Sequence, residues 1–317
     1  MQRTDRHFRY MLRLITKRTL LYTEMVTAGA ILHGDADFHL AYSHSEHPLA
    51  LQLGGDDPEK LARCARQALR YGYDEVNLNV GCPSDRVQRG AFGAVLMRTP
   101  EIVRDCVTRM HEASGLPVTV KHRIGVDELD HYDHMKRFVD VVSESPCVRF
   151  SVHARKAWLK GLSPKQNREV PPLRYPEIYR LKRERPDLCI EINGGITELE
   201  QIKSHLQYVD GVMIGRAAYD TPMLFARVDQ EIFGENRASV TDLDVALKML
   251  EYAEDWVAKG GRLHHISRHM MALFQGRPGA RSWRRALSNA AIDPTGSTRP
   301  LRNAIDLINQ HLPLDDS

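Results

Sequence analysis

The chain reads Leu49-Ala50-Leu51-Gln52-Leu53, then shows a helical pattern over Pro58–Tyr71, and then reads Glu75-Val76-Asn77-Leu78-Asn79-Val80. Apolar residues recur at three- and four-residue spacing in the middle segment, which gives an amphipathic helix one apolar stripe. The two flanking runs are short and apolar, as expected for strands. This strand–helix–strand unit predicts a parallel sheet with helices packed outside it.

The same alternation covers most of the chain. Candidate strands are Leu20–Val26, Leu49–Leu53, Glu75–Val80, Pro117–Arg123, Val148–His153, Cys189–Asn193 and Gly211–Gly215. These strands predict an α/β fold, either a TIM-type (β/α)8 barrel short of one strand or a doubly wound sheet, and periodicity alone does not choose between them.

Beyond Thr241-Asp242 the pattern is helical only, with helices expected at His264–Phe274, Ala280–Ala290 and Leu301–His311. We therefore predict a barrel domain over residues 1–235 and an all-α helical domain over residues 240–317.

The 317 residues are 42% hydrophobic and 27% charged, which is typical of a globular chain. No apolar run is long enough for a membrane helix, and the N-terminal residues lack an apolar signal core. The five cysteines are odd in number and far apart, which argues against a disulfide framework. We expect a cytoplasmic protein with no membrane association.

The net charge of +3 hides two basic stretches. Residues 262–302 contain eight arginines, no lysine and one acid. The long connection between His153 and Tyr175 carries a second basic cluster around Trp158. Arginine clusters with an aromatic side chain suit phosphate contact and stacking on a splayed base, although a solvated face is the alternative.

The octet from Asn77 to Ser84 carries the strongest chemical signal. Alternation places Asn77 and Asn79 on one side of a strand, and Gly81 lets the chain turn before Cys82. Barrel enzymes act at the carboxyl ends of their strands, where a neutral thiol can donate a proton. The alternative is a small buried hydrophobe, which is our interpretation of Cys64, Cys106, Cys147 and Cys189.

Polar side chains also follow other candidate strands. Gln52, Lys121 and His153 lie at or near strand ends, where they could face a cofactor. Asn193-Gly194-Gly195 and Gly215-Arg216 follow the last two strands, where barrels often bind phosphate, although ordinary tight turns are the alternative. No C-x-x-C, H-E-x-x-H, P-loop or G-x-G-x-x-G motif occurs, so we expect no metal site.

Taken together, several motifs resemble those of the tRNA-dihydrouridine synthases, subfamily A. They are Thr4–Arg9, Tyr22–Val26, Leu51–Gly55, Asn77–Asp85, Val118–Lys121, His153–Leu159, Gly161–Lys165, Asn193–Ile196 and Phe274–Gly276 with Trp283–Arg285. The resemblance implies an FMN-binding (β/α)8 barrel with a C-terminal tRNA-recognition domain. We expect a monomer, although the sequence does not give the oligomeric state. It implies reduction of the C5–C6 bond of uridines 20 and 20a in the tRNA D-loop, with NADPH reducing the flavin.

The resemblance also assigns roles. Reduced flavin gives hydride to C6 of the flipped uracil, and Cys82 protonates C5 as the catalytic acid. Asn79 would hold the uracil, Gln52 and Lys121 the flavin ring, and His153 the ribityl phosphate side. The phosphate would meet Asn193, Gly194, Gly195, Gly215 and Arg216, and the tRNA would meet Lys165, Arg168, Arg281 and Arg284.

The family pattern begins with a strand that this sequence lacks, because Met1-Gln2-Arg3 stand where its end would be. We therefore expect a barrel open at one strand position, with unpaired edges. A smaller departure is His122, where relatives usually carry Thr. Two other hypotheses stay open: a non-catalytic tRNA-binding remnant of the family, and a flavin oxidoreductase for a small pyrimidine.

Overall fold

The computed structural model describes residues 3–290 and 297–310. The chain forms two compact units, of which unit 1 comprises Leu20–Tyr42 and His47–Gly215. Unit 2 comprises the N-terminal segment up to Thr19, Ser43–Glu46, and the chain from Arg216 onward. The units therefore divide at Gly215–Arg216 and group the N-terminal helix with the C-terminal helices. The division into residues 1–235 and 240–317 by function stays a prediction.

Unit 1 is built on a parallel sheet. Its strands are β1 (Leu21–Tyr22), β2 (Val26–Thr27), β3 (Leu49–Gly54), β4 (Glu75–Val80), β5 (Val118–Arg123), β6 (Cys147–His153), β7 (Ile190–Asn193) and β8 (Gly211–Met213). From β3 to β8 each strand pairs with the next one in sequence, and β1 and β2 both pair with β3. A doubly wound sheet would reverse its order at a switch point. The sequential order identifies a TIM-barrel-type α/β fold instead.

The predicted strand Leu20–Val26 is interrupted. β1 and β2 pair with β3 in registers that differ by one residue, so the chain between them bulges. Within the bulge the Thr23 hydroxyl accepts the backbone N–H of Gln52 at 3.0 Å, in place of a ladder carbonyl. In the described residues β8 pairs only with β7 and no strand joins it to β1, so the sheet is open there.

Helices follow most strands of unit 1. Their bounds are α2 (Ala28–His33), α3 (Ala36–Leu40), α4 (Pro58–Tyr71), α5 (Asp85–Arg89), α6 (Pro100–Ser114), α7 (Tyr132–Val142), α8 (Tyr175–Glu184) and α9 (Leu199–Leu206), with 3-10 turns at Gly93–Arg98 and Gln166–Arg168. α4 shows why they form where predicted. Asp57 caps its first N–H groups, Pro58 opens it, and Gly72 ends it in the left-handed conformation at φ 81°.

The inner face of the sheet is polar. On β4 the apolar residues Val76, Leu78 and Val80 are fully buried and alternate with polar residues. The inner polar side chains, which hydrogen-bond or ion-pair across several strands, are Glu75, Asn77, Asn79, Thr119, Arg149, Ser151 and Glu191. Barrel interiors are usually filled by branched apolar residues. A polar interior must satisfy every group, so each of these residues is tied to a partner.

Unit 2 is helical. Its helices are α1 (Arg6–Ile15), α10 (Arg216–Asp220), α11 (Val228–Glu231), α12 (Asp242–Ala258), α13 (His264–Ser267), α14 (Ala280–Ala290) and α15 (Arg299–Asn309), with 3-10 turns at His44–Glu46, Pro222–Arg227 and Met270–Ala272. Thr241 and Asp244 form a reciprocal capping box that starts α12.

The predicted helix His264–Phe274 is wrong in its extent. The chain forms only α13 and the short turn Met270–Ala272 there, and Phe274 adopts φ 60°. Buried contacts override the periodicity, because Asp242 accepts the backbone N–H of Phe274 at 2.9 Å. Of the predicted helix Leu301–His311, His311 lies outside the described residues.

Candidate active site

The loop after β4 is shaped by one side chain. The Asn79 side-chain oxygen accepts the backbone N–H of Cys82 at 2.9 Å and that of Gly81 at 3.1 Å. Cys82 is half-buried, and its sulfur lies 3.5 Å from the hydroxyl of Ser84. This arrangement places a partly accessible thiol at the carboxyl end of a central strand.

The amides on neighbouring strands form a directed chain of hydrogen bonds. Asn79 donates to Gln52 at 2.9 Å, Gln52 donates to Asn77 at 2.9 Å, and Asn77 donates to Thr119 at 2.9 Å. The Thr119 hydroxyl donates to Glu75 at 2.6 Å. Because a carboxylate only accepts, Glu75 fixes the direction of every bond in the chain. Each amide has two N–H groups, so Asn79 and Gln52 each have a second N–H that takes no part in this chain of bonds among the described residues.

The carboxylate that ends this chain is itself paired. Arg149 donates to Glu75 and to the hydroxyl of Tyr22, and its Nε lies 2.9 Å from Glu191. Burial raises the pKa of Glu191, and the adjacent Arg149 opposes that rise. Glu75, Thr119 and Arg149 were not among the site residues predicted from the sequence. The sequence pattern that could have identified them is the occurrence of polar residues at alternate positions of predicted strands.

Lys121 lies opposite Asn79 in the register of β4 and β5. Burial, together with the nearby Arg123, lowers the pKa of its ammonium to about 8. No carboxylate of the described residues forms an ion pair with Lys121. A half-buried cation without an acidic partner among the described residues is suited to an anionic or electron-rich ligand, so Lys121 fits a flavin ring.

His153 ends β6 with a defined tautomer. Its Nδ1 accepts the backbone N–H of Arg155 at 3.1 Å, so the ring proton is on Nε2. Burial holds the pKa of His153 well below its ordinary value, and Arg123 adds to the effect. The ring is therefore a neutral donor, which suits a phosphate or hydroxyl oxygen.

The loop after β7 is made of glycines for a steric reason. Gly194 and Gly195 adopt φ values of 114° and 75°, and a Cβ on Gly195 would lie 2.6 Å from a leucine side chain. The Asn193 amide donates to the carbonyl of Met213 on β8 at 2.8 Å, so it joins the two strand ends. Among the described residues, no atom lies within 4 Å of a Cβ built on Gly215. These loops fit the close approach of a phosphate, whereas Arg216 begins α10 in unit 2.

The basic segment, residues 154–168, has an ordered interior and an exposed charged surface. The fully buried Asn167 accepts the N–H of Trp158 at 2.7 Å and donates to its carbonyl at 2.9 Å. Lys165 and Arg168 flank Asn167 and are exposed. Trp158 is 38% exposed, and the Lys156 ammonium lies 3.9 Å from its ring centroid.

In unit 2 the arginine-rich stretch is partly neutralised. Arg268, Arg277 and Arg302 pair with Asp5, Asp242 and Glu254, which all lie outside the stretch. On α14, Trp283 is buried and donates to the carbonyl of Met270 at 2.9 Å. The exposed residues Arg281, Arg284 and Arg285 of α14 have no ion pair with any described acid. Three of the arginines in the stretch without an ion pair to a described acid therefore lie on one helix.

Within residues 3–290 and 297–310, no group of three or more His, Cys, Asp or Glu side chains could hold a metal ion. No helix in that part of the chain is long and apolar enough to cross a membrane. The parallel sheet with polar side chains, glycine loops and a thiol at its carboxyl ends defines a TIM-barrel-type α/β enzyme.

Comparison with known proteins gives the family. The dihydrouridine synthase family model matches residues 1–308. The chain is 57% identical over 310 residues to the tRNA-dihydrouridine(20/20a) synthase of Vibrio parahaemolyticus, covering 98% of this chain and 95% of that protein. It is 54% identical over 305 residues to the protein of the same name from Synechocystis, covering 96% and 91%. The chain belongs to the dihydrouridine synthase family of oxidoreductases.

Proposed function

We propose that the chain reduces the C5–C6 double bond of uridine to 5,6-dihydrouridine in the D-loop of tRNA, with FMN as cofactor and NADPH as reductant. Relatives at 54% and 57% identity carry the name tRNA-dihydrouridine(20/20a) synthase, which supports positions 20 and 20a as targets. The observation that carries the proposal is the bond from the Cys82 backbone N–H to the Asn79 side-chain oxygen, by which an amide at the strand end fixes the loop bearing a thiol.

In the proposed reaction, bound reduced FMN supplies the hydride for C6 of the uracil. The Asn79 amide donates one N–H to Gln52, and its second N–H donates to a uracil carbonyl. The Cys82 thiol gives its proton to C5, and the resulting thiolate lies near the positive charge of Lys121 and Arg123. Lys121 and Gln52 would hold the flavin ring, and the neutral His153 would donate its Nε2–H on the phosphate side.

Asn193, Gly194, Gly195, Gly215 and Arg216 are proposed to bind the phosphate of FMN, which the glycine conformations of the first loop support. Lys165, Arg168, Arg281 and Arg284 are proposed to contact tRNA, which their exposure supports. The functional division is the one predicted, a catalytic domain over residues 1–235 and a tRNA-recognition domain over 240–317. A tRNA substrate implies a cytoplasmic enzyme, and a monomer would suffice.

The test is reconstitution of the purified full chain with FMN, followed by incubation with NADPH and unmodified tRNA. Mass spectrometry of nuclease digests should find dihydrouridine at positions 20 and 20a. Free uridine and uracil are the comparison substrates, and turnover of either as fast as tRNA would indicate a small-pyrimidine oxidoreductase. Protein that takes up no FMN, or that binds tRNA in a salt-dependent manner without reducing it, would overturn the proposal and favour the non-catalytic tRNA-binding remnant.

A further inference from the structure

The two peptide carbonyls on either side of Cys82 are both bound by side chains from elsewhere in unit 1. The carbonyl of Gly81 accepts from Arg123 Nε at 2.8 Å. The carbonyl of Pro83 accepts from Gln88 Nε2 at 2.8 Å. The loop is therefore held immediately before and immediately after the thiol-bearing residue.

Both donors also reach the basic segment, residues 154–168. Arg123 Nη1 donates to the carbonyls of Lys156 and Asn167, each at 3.0 Å. Gln88 Nε2 donates to the carbonyl of Leu159 at 2.7 Å. Each side chain thus joins the Cys82 loop to the same segment, and the two connections are independent of each other.

A movement of the exposed residues of the basic segment would also move the backbone carbonyls that Arg123 and Gln88 bind. Asn167 lies between the exposed Lys165 and Arg168, and its amide also donates to the carbonyl of Leu162 at 3.1 Å. Arg123 binds the carbonyl of this same Asn167. A ligand that shifts or immobilises Lys165 or Arg168 therefore acts on a residue that Arg123 holds directly.

Arg123 is suited to this role by its burial and by its choice of partners. It is 5% exposed, and burial lowers its pKa to about 10, so the guanidinium is charged at neutral pH. It forms no ion pair with a described carboxylate, and its donors go to carbonyls of the Cys82 loop and of the basic segment. A planar guanidinium can hold several acceptors in fixed directions, which an ammonium cannot do.

We propose that Arg123 and Gln88 are positioning residues that join the basic segment to the Cys82 loop, so that tRNA contact at Lys165 and Arg168 sets the place of the Cys82 thiol. This inference rests on the proposed function for its tRNA step. The connection between the two loops itself does not depend on catalysis, so it can be tested separately.

The first experiment measures the reactivity of the thiol. In the full-length FMN-loaded protein, Gln88→Met removes both donated bonds at similar volume, and Gln201→Met on α9 is the matched control. Alkylation by iodoacetamide is followed for each cysteine by peptide mass spectrometry, with the buried Cys64 and Cys106 as reporters of unfolding. Cys82 should react roughly tenfold faster in the Gln88 variant alone, because its loop is released. Equal Cys82 rates in parent and variant would overturn the inference.

The second experiment measures the tRNA step, as reoxidation of the reduced flavin by tRNA in a single turnover. Gln88→Met should lower the rate constant roughly 10- to 100-fold, since a small misplacement of a reacting group has an effect of that size. The Kd for tRNA should stay within about twofold of the parent, because no tRNA-contacting charge is removed. Arg123→Lys keeps the charge and one donor, and its rate should lie between those of the parent and Arg123→Met.

A double variant separates positioning from general damage. In a Cys82→Ser background, Gln88→Met should cause no further loss of rate, because its effect passes through the side chain at position 82. Losses that multiply in the double variant would contradict the inference. If the parent shows no tRNA-dependent reoxidation, the proposed function fails, and the alkylation rates still decide whether the two loops are joined.

Discussion

The side-chain oxygen of Asn79 accepts the backbone N–H of Cys82 at 2.9 Å, so one residue both faces the proposed uracil site and sets the course of the thiol loop. Asn79→Asp keeps that oxygen but loses the amide that donates to Gln52. We expect tRNA reduction to fall roughly 100-fold, since a misplaced catalytic group has about this effect. Flavin absorbance measures cofactor binding, and kcat/KM measures tRNA reduction. An unchanged kcat/KM would contradict the proposed role of Asn79 in placing the uracil and the Cys82 loop.

Cys82→Ala should abolish uridine reduction while flavin binding and its reduction by NADPH continue. The reason is that general acid catalysis typically contributes about 100- to 10,000-fold, and the thiol makes no other proposed contribution. Stopped-flow absorbance separates reduction of the flavin from its reoxidation by tRNA. Cys189→Ser, at a half-buried cysteine just before β7, is the control. Loss of bound flavin in Cys82→Ala would argue against a purely acidic role.

Thr119→Val should lower stability and weaken flavin binding together. It leaves the Asn77 amide without its acceptor on β5 and removes one of the donors to Glu75, which keeps Arg149, and an unsatisfied buried group costs about 1–3 kcal/mol. The chain of amides then no longer orients Gln52. Thr119→Ser restores the hydroxyl and should recover most of the FMN affinity, measured by fluorescence titration. Similar FMN Kd values for Thr119→Val and Thr119→Ser would show that the hydroxyl at position 119 does not contribute to FMN affinity.

Replacing Arg281 and Arg284 together by Ala should flatten the salt dependence of tRNA binding. Removing one arginine that binds a phosphate should reduce the slope of log K against log salt by roughly 0.7 to 0.9. Arg302→Ala is the matched control, because Glu254 already neutralises that arginine. Filter binding over a salt series gives the slopes, while NADPH oxidation by the flavin should not change. Equal slopes for the double variant and the control would place the phosphates elsewhere.

His122 should make the fold sensitive to acid. Its ring is fully buried, it donates to the carbonyl of Arg123 at 2.8 Å, and burial lowers its pKa to about 4. Between pH 6.5 and 4 the His122 ring is protonated in the unfolded chain but neutral in the folded chain. The free energy of unfolding therefore falls as the pH falls. One such group changes the free energy of unfolding by about 1.4 kcal/mol per pH unit.

His122→Thr should therefore lose less stability than the parent between pH 7 and pH 5, by about 2 kcal/mol. At pH 7 the variant itself should be less stable, because the ring packs against Phe138 at a centroid distance of 4.8 Å. Urea unfolding at the two pH values provides the comparison. Parallel pH dependence in both proteins would mean that another group, such as the buried His7, dominates acid unfolding.

Local patterns predicted the strands and helices well where caps and alternation agree. The segments Pro58–Tyr71 and Glu75–Val80 have the predicted bounds. The interruption between β1 and β2 was not predictable, because it depends on Thr23 contacting a strand far along the chain. Likewise, periodicity over 264–274 indicated a helix, but the buried carboxylate of Asp242 holds the chain in another conformation.

The candidate site was predictable as a set of strand ends but not as a network. Alternation predicts that Asn77 and Asn79 share a side, yet it cannot show that Asn79 uses its oxygen to hold the Cys82 loop. The sequence placed Arg123 only at the end of a predicted strand, and the structure shows that its guanidinium donates to carbonyls of the Cys82 loop and of the basic segment. Partner choice of this kind depends on distances between segments that sequence patterns do not contain.

The pairing of Arg149 with Glu75 and Glu191 has a consequence for sequence change over time. Losing one member leaves a buried charge without its counterpart, which costs about 3–5 kcal/mol. That is a large part of the stability of an ordinary domain. The three positions are therefore expected to vary together among descendants of this sequence, and a chimera that imports β4 or β6 alone from a distant barrel should fold poorly unless its partners come with it.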